Sequence, residues 1–196
     1  MSLLSAPSEN TPLSRLFSLQ DKVCLVTGGN RGIGLAVCQG YAEAGARAIA
    51  IIHSSEETSA LAKEKAKEIT EAYPACSVEA FKADVSKTEE IEAVTKEVFA
   101  KFGGLDVVVV NAGVYSDDLA LEMTPEHAVH INAVNHLGAL YTAQSAARIM
   151  KDNGGGKIIF TASINGHMVL RPQRESIVCL PSIRLACMSV GVGADT

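Results

Sequence analysis

The chain has 196 residues, 47% of them hydrophobic and 20% charged, and a formal net charge of −5 from 17 Lys and Arg against 22 Asp and Glu. That length holds one ordinary domain with a real core, and the composition excludes a disordered, collagenous or coiled-coil chain. A net negative charge offers no basic field to a phosphate backbone or an anionic bilayer, so neither nucleic acid nor membrane is an expected partner.

Residues 1–20 are rich in Ser and Pro and read as a loose arm, with Leu13, Leu16, Phe17 and Leu19 able to lie against the domain surface. They lack a basic start followed by a sustained apolar run, and no stretch approaches bilayer length, so a cytoplasmic protein is expected. Five scattered cysteines, Cys24, Cys38, Cys76, Cys179 and Cys187, show neither a C-x-x-C pair nor metal-ligand spacing. They read as small apolar residues of a reducing compartment.

The domain begins near Asp21. Lys22 to Val26 is a short apolar strand, Thr27 to Gly34 is a glycine-rich turn, and LAVCQGYAEAG resumes at helical spacing. Ala48 to Ile52 is a second buried strand. Glu56 to Ala72 is a helix with Leu61, Ala62, Ala66 and Ile69 on its apolar face. Ser77 to Lys82 is a third strand. Ser86-Lys87-Thr88-Glu89 has the form of a capping box ahead of Ile91, Val94, Val98 and Phe102 at helical steps. Asp106 to Val110 is the continuous β-branched run of a strand covered on both faces. Thr124-Pro125-Glu126 opens one long helix that stops at Asn153 and three glycines, and Lys157 to Phe160 is strand five.

Strands alternating with helices predict an α/β fold, a doubly wound, mostly parallel sheet with ligands bound at the carboxyl ends of its strands. The grammar holds over 21–173, the expected Rossmann-like dinucleotide-binding domain. Residues 174–196 form an atypical tail with one apolar run, Ile177 to Leu180, broken by Pro181. A sheet incomplete on its C-terminal side leaves strand five as an apolar edge, along which Ile177 to Leu180 is expected to dock.

Gly28, Gly32 and Gly34 in TGGNRGIG follow a strand and open a helix, where absent side chains let a pyrophosphate reach backbone N–H groups and the positive helix end. The expected cofactor contacts there are Gly28, Asn30, Arg31, Gly32, Ile33 and Gly34. An acid at the end of strand two would bind the ribose hydroxyls of NAD, but that strand ends in His53-Ser54-Ser55, with no acid until Glu56. With Ser54 there and Arg31 able to meet a 2′-phosphate, NADP(H) is preferred over NAD(H). Arg31 as a merely solvated charge is the alternative.

These residues resemble the short-chain dehydrogenase/reductase family, in which TGxxxGxG is joined to an Asp after strand three, an NAG after strand four and an Asn in the next helix. Asp84-Val85 resembles the family's adenine-contacting pair, Asn111-Ala112-Gly113 its strand-four motif, Asn135 its catalytic helix Asn and Ser163 its catalytic Ser. Each also has a plainer reading: Asp84 as a cap, Asn111 to Gly113 as a strand-end turn, Asn135 as a polar residue satisfied by backbone. The phrases LFSL and SINGHMV with a following PQ are similar to fungal NADP-dependent mannitol, sorbose and xylulose reductases. They imply hydride transfer between NADP(H) and a ketose, a polyol or another small carbonyl or alcohol. The resemblance also implies pairing of subunits through the long helix over 124–150.

The family's proton donor is a Tyr shortly after the Ser, with a Lys one helical turn on. Here Tyr41, Tyr73, Tyr115 and Tyr141 all precede Ser163, and no Lys follows Lys157. The resemblance therefore implies impaired catalysis and a chain truncated or altered after Gln173. A noncatalytic dinucleotide-binding remnant, or a partner of full-length relatives, is the alternative. His167 is a weak substitute for the missing acid.

Overall fold

Val23–Thr27, four apolar residues closed by a Thr, is wholly buried and forms β1 at the middle of a sheet. The computed structural model describes residues 13–116, 121–163 and 186–190. In chain order the elements are α1 (Leu13–Leu16), β1, α2 (Gly32–Glu43), β2 (Ala48–His53), α3 (Ser59–Ala72), β3 (Ser77–Lys82), α4 (Thr88–Phe102) and β4 (Val107–Val110). After these come α5 (Pro125–Asn132), a π-helical turn Ala133–Leu137, α6 (Gly138–Asp152), β5 (Gly156–Phe160) and β6 (Ala186–Val190).

The sheet runs β3-β2-β1-β4-β5-β6. The first five strands are parallel, in register from Val23 opposite Ala48 to Val107 opposite Lys157, and β6 is antiparallel to β5. Alternate residues of β1 feed two cores. Val23 and Leu25 pack with Val108, Ile158 and Met150 on the α4 and α6 face, while Cys24 and Val26 pack with Ile49, Ile51, Ala62 and Ala66 on the α2 and α3 face. Each Val, Leu, Ile or Met side chain among these, fully removed from water, contributes about 1.5–3 kcal/mol. The chain leaves β1 for β2 and β3 on one side and returns for β4 and β5 on the other. This reversal opens a crevice at the carboxyl ends of β1 and β4.

The doubly wound α/β architecture is as expected, but several local expectations are corrected. The long helix is present from Pro125 to Asp152 but carries a π turn centred on Asn135, with the Asn135 side chain reaching across to Val114. Leu61 lies on the outer side of α3 at 36% exposure, leaving Ala62, Ala66 and Ile69 as the buried stripe. That helix starts at Ser59 rather than Glu56, because the Thr58 hydroxyl donates to the Ser55 carbonyl (2.9 Å) and holds the preceding residues as a turn. The edge of β5 is covered by Ala186–Val190 through antiparallel pairing. Ile177 to Leu180, expected there, lies outside the described residues. Residues 13–20 meet the domain through Leu19, whose N–H donates to the Ala44 carbonyl (2.9 Å).

Candidate functional site

The crevice is built on the glycine turn. Gly28 (φ 65°) and Gly32 (φ 54°) hold left-handed backbone conformations that side chains disfavour. A Cβ on Gly32 would meet open space, whereas one on Gly34 would stand 2.3 Å from the Gly28 carbonyl oxygen and 2.6 Å from Asn111 Nδ2. Glycine at 34 thus lets the first turn of α2 press against the turn that precedes it. Arg31 is the N-cap of α2, in extended conformation, and its side chain makes no capping bond. The positive end of α2 and its first N–H groups therefore carry no side-chain acceptor at Arg31, the arrangement an anionic diphosphate requires.

The far wall of the turn is stitched to β4. Asn111 Nδ2 donates to the carbonyls of Thr27 (3.0 Å) and Gly28 (3.4 Å), and a Cβ on Gly28 would lie 3.2 Å from Ala112 Cα. Buried Thr27 answers in the other direction: its hydroxyl accepts from the N–H groups of Asn111 (2.9 Å) and Ala112 (3.0 Å). Thr27 is a positioning residue that motif reading passed over. Its signal was a polar residue ending an apolar strand, which must find partners once buried.

The remaining predicted residues divide. Asn30 is buried, while Arg31, Ile33, Ser54, Gly113 and Ser163 are exposed around the crevice. Ile33, 66% exposed, shares with Ser163 a cavity of about 960 Å³ that is also lined by Val37, Tyr41, Val109 and Ile159. Ser163 follows β5 at its carboxyl end, on the same side of the sheet as the glycine turn. Asn135 stands beside Gly113, where a Cβ would lie 3.4 Å from its Oδ1; that Oδ1 accepts from Val114 N–H (2.8 Å) and its Nδ2 donates to the Val114 carbonyl (2.7 Å). Both polar ends of that amide hold backbone beyond the Asn111-Ala112-Gly113 segment.

Asp84 closes its own turn, accepting from the Ser86 N–H (3.0 Å) and hydroxyl (2.7 Å). The expected capping box at Ser86 is therefore not formed. Lys87 is the N-cap of α4 without a side-chain bond, and Glu90 reaches back to accept from the Asp84 N–H (2.9 Å). That bond, together with Lys87, holds the Glu90 carboxyl below the usual carboxylate range. Val85 is buried against Gly138, whose absent Cβ would lie 2.8 Å from it. At the end of β2 the His53 ring is buried with Nδ1 3.1 Å from the Ser55 carbonyl. Burial lowers its pKa, with partial opposition from that carbonyl.

Among the described residues no group of three or more His, Cys, Asp and Glu could hold a metal, and no helix is long and apolar enough to cross a membrane. The buried thiols of Cys24, Cys38 and Cys76 form no disulfide.

Residues 22–173 match the family model for short chain dehydrogenase. The NADP-dependent mannitol dehydrogenase of Hypocrea jecorina is 33% identical over 172 residues, 87% of this chain and 63% of that protein. A 3alpha-hydroxysteroid dehydrogenase of Mediterraneibacter gnavus is 36% identical over 146 residues, 74% of this chain and 57% of that protein. A crystal structure of a short-chain type dehydrogenase/reductase from Mycobacterium marinum superimposes with a TM-score of 0.78 at 36% identity, covering 86% of this chain and 66% of that one. The chain thus spans less than two thirds of the length of these relatives.

Proposed function

This chain belongs to the short-chain dehydrogenase family of oxidoreductases, and from that premise we propose that it binds NADP(H) in preference to NAD(H), for a ketose, polyol or other small carbonyl or alcohol. The observation that carries the reading is the glycine turn. Gly34 lies against the Gly28 carbonyl with no room for a methyl group, and the N-terminus of α2 is left open by Arg31. In this reading the amides of that turn hold the diphosphate, Arg31 meets the 2′-phosphate, and Ser54 lies at the adenosine ribose. Asp84, Val85 and the Asn111 to Gly113 segment line the adenine and nicotinamide ends. When bound, the cofactor supplies hydride at its nicotinamide ring. The chain's own part is then to position the carbonyl oxygen by a hydrogen bond from Ser163, beside the apolar cavity wall of Ile33 and Val109.

The H. jecorina relative is named for mannitol and the M. gnavus relative for a hydroxysteroid, so the sugar-type substrate rests on the short fungal-like phrases of this chain. Pairing of two copies through 124–150 is part of the same proposal. A second reading, cofactor binding without turnover, is favoured by one observation: residues 164–196 hold neither a Tyr nor a Lys. A general acid is worth about 10²–10⁴ in rate, so its lack would leave Ser163 polarising a carbonyl it cannot protonate.

Calorimetric titration with NADPH and NADH, followed by a panel of ketoses, tests both. Arg31→Ala is expected to weaken NADPH by at least about 10-fold, the worth of a charge-assisted phosphate contact, and NADH by much less. Binding without ketose-dependent NADPH oxidation supports the second reading. A folded sample that ignores both nucleotides overturns the cofactor assignment.

A further inference from the structure

The rim beyond β2 carries an ion pair that the cofactor reading does not use. His53, the last residue of β2, sits in register with Lys82, the last residue of β3. Lys82 Nζ donates to Glu56 Oε2 at 2.9 Å, across the sheet end from the turn that contains Ser54. That turn is held from within: the Thr58 hydroxyl donates to the Ser55 carbonyl (2.9 Å) and lies 3.3 Å from His53 Nδ1. Glu56 is therefore the first acid after β2, on a backbone fixed by its neighbours, and its carboxylate is drawn towards β3.

We propose that Lys82 is a specificity-determining residue that acts through Glu56, holding its carboxylate over β3 and cancelling its charge so that the end of β2 admits a 2′-phosphate. Lys82 has this role only if the chain prefers NADP(H), as proposed above. An unmasked carboxylate at this rim would do two things. It would accept from ribose hydroxyls, and it would repel a phosphate of about two negative charges. The surrounding charges give the pair its weight. Glu57 and Glu90 add negative potential at Lys82, and Lys63 and His53 are the further groups acting on Glu56. Without Lys82 the Glu56 carboxylate loses the cation it is hydrogen-bonded to.

Dissociation constants for NADPH and NADH, measured on the full chain at low salt, test the pair through Lys82→Met, Glu56→Gln and the double variant. One uncancelled charge some 7 Å from a dianion in water corresponds to roughly 5- to 10-fold in affinity. Lys82→Met is therefore expected to weaken NADPH by about that factor and to leave NADH unchanged or tighter. Adding Glu56→Gln is expected to return NADPH affinity to within about 2-fold of wild type, because no bare carboxylate remains. Equal losses for both nucleotides overturn the assignment. So does a NADPH loss that persists in the double variant, which would make Lys82 a direct phosphate ligand. Failure of the cofactor reading itself is separately visible: the unaltered chain would then bind NADH more tightly than NADPH, or bind neither, and the role of Lys82 would fall with it.

Discussion

Two glycines of one helix are expected to respond to the same substitution with opposite signs. Gly34 and Gly40 both lie in α2, where alanine is favoured over glycine by about 0.8–1.0 kcal/mol. At Gly40 a Cβ meets nothing within 4 Å, so Gly40→Ala should keep that gain and stabilise the chain by about 0.4–1 kcal/mol. At Gly34 the same methyl group stands 2.3 Å from the Gly28 oxygen, far inside ordinary contact. Backbone rather than a flexible side chain must yield, at a cost of about 1–3 kcal/mol. The displacement also strains the two Asn111 amide bonds, each worth about 0.5–1.5 kcal/mol. After the helix gain is subtracted, Gly34→Ala should lose about 1–4 kcal/mol. With a urea slope near 2 kcal/mol/M this lowers the unfolding midpoint by about 0.5–2 M, while Gly40→Ala raises it. Far-UV circular dichroism in urea reads both, and calorimetry should show NADPH affinity lost only in the first. Equal midpoints for the two variants, or a Gly34→Ala chain that binds as the original does, would refute the close-packed turn.

Thr27→Val keeps the shape of a wholly buried side chain and removes the acceptor for two amides. Orphaning both should cost about 2–5 kcal/mol in urea unfolding, and a loss below about 0.5 kcal/mol would show those N–H groups to be otherwise satisfied. Glu90 has a lowered folded pKa, so the stability it adds is fully present above the ordinary glutamate value near ~4.3 and is lost as pH falls through its lower folded value. Wild type should accordingly exceed Glu90→Gln in melting temperature at pH 7 and lose that lead towards pH 3; a constant difference across this range would remove the Asp84–Glu90 bond from the account. Burial pushes the Cys38 thiol up to about 12 and Cys76 to about 11, and also raises Cys24. In the native chain at pH 8 these three should alkylate at least ~100-fold more slowly than a free thiol, and mass spectrometry that finds any of them modified as fast as in urea would contradict their burial.

The sheet was legible because its causes are local. The β-branched run Val107–Val110, the apolar Ala48–His53 and the 3.6-residue spacing of Ile91, Val94 and Val98 each specify an element from neighbours a few residues apart. The glycine turn belongs to the same class, since positive φ at Gly28 and Gly32 is a property of single residues. Errors at helix starts came from side chains with competing partners: Thr58 holds Ser55, and Ser86 bonds Asp84 instead of capping α4.

What sequence determined by itself was therefore the order of strands and helices, the place of the phosphate turn and the family. Tertiary structure alone decided what the polar side chains of those motifs hold: Thr27 and Asn111 lock across 84 positions, Asn135 grips Val114 across 21, and Glu56 meets Lys82 across 26. A short-range pattern sets backbone conformation. A hydrogen bond needs its partner within about 3 Å, and which residues come that close is settled only when the sheet has assembled.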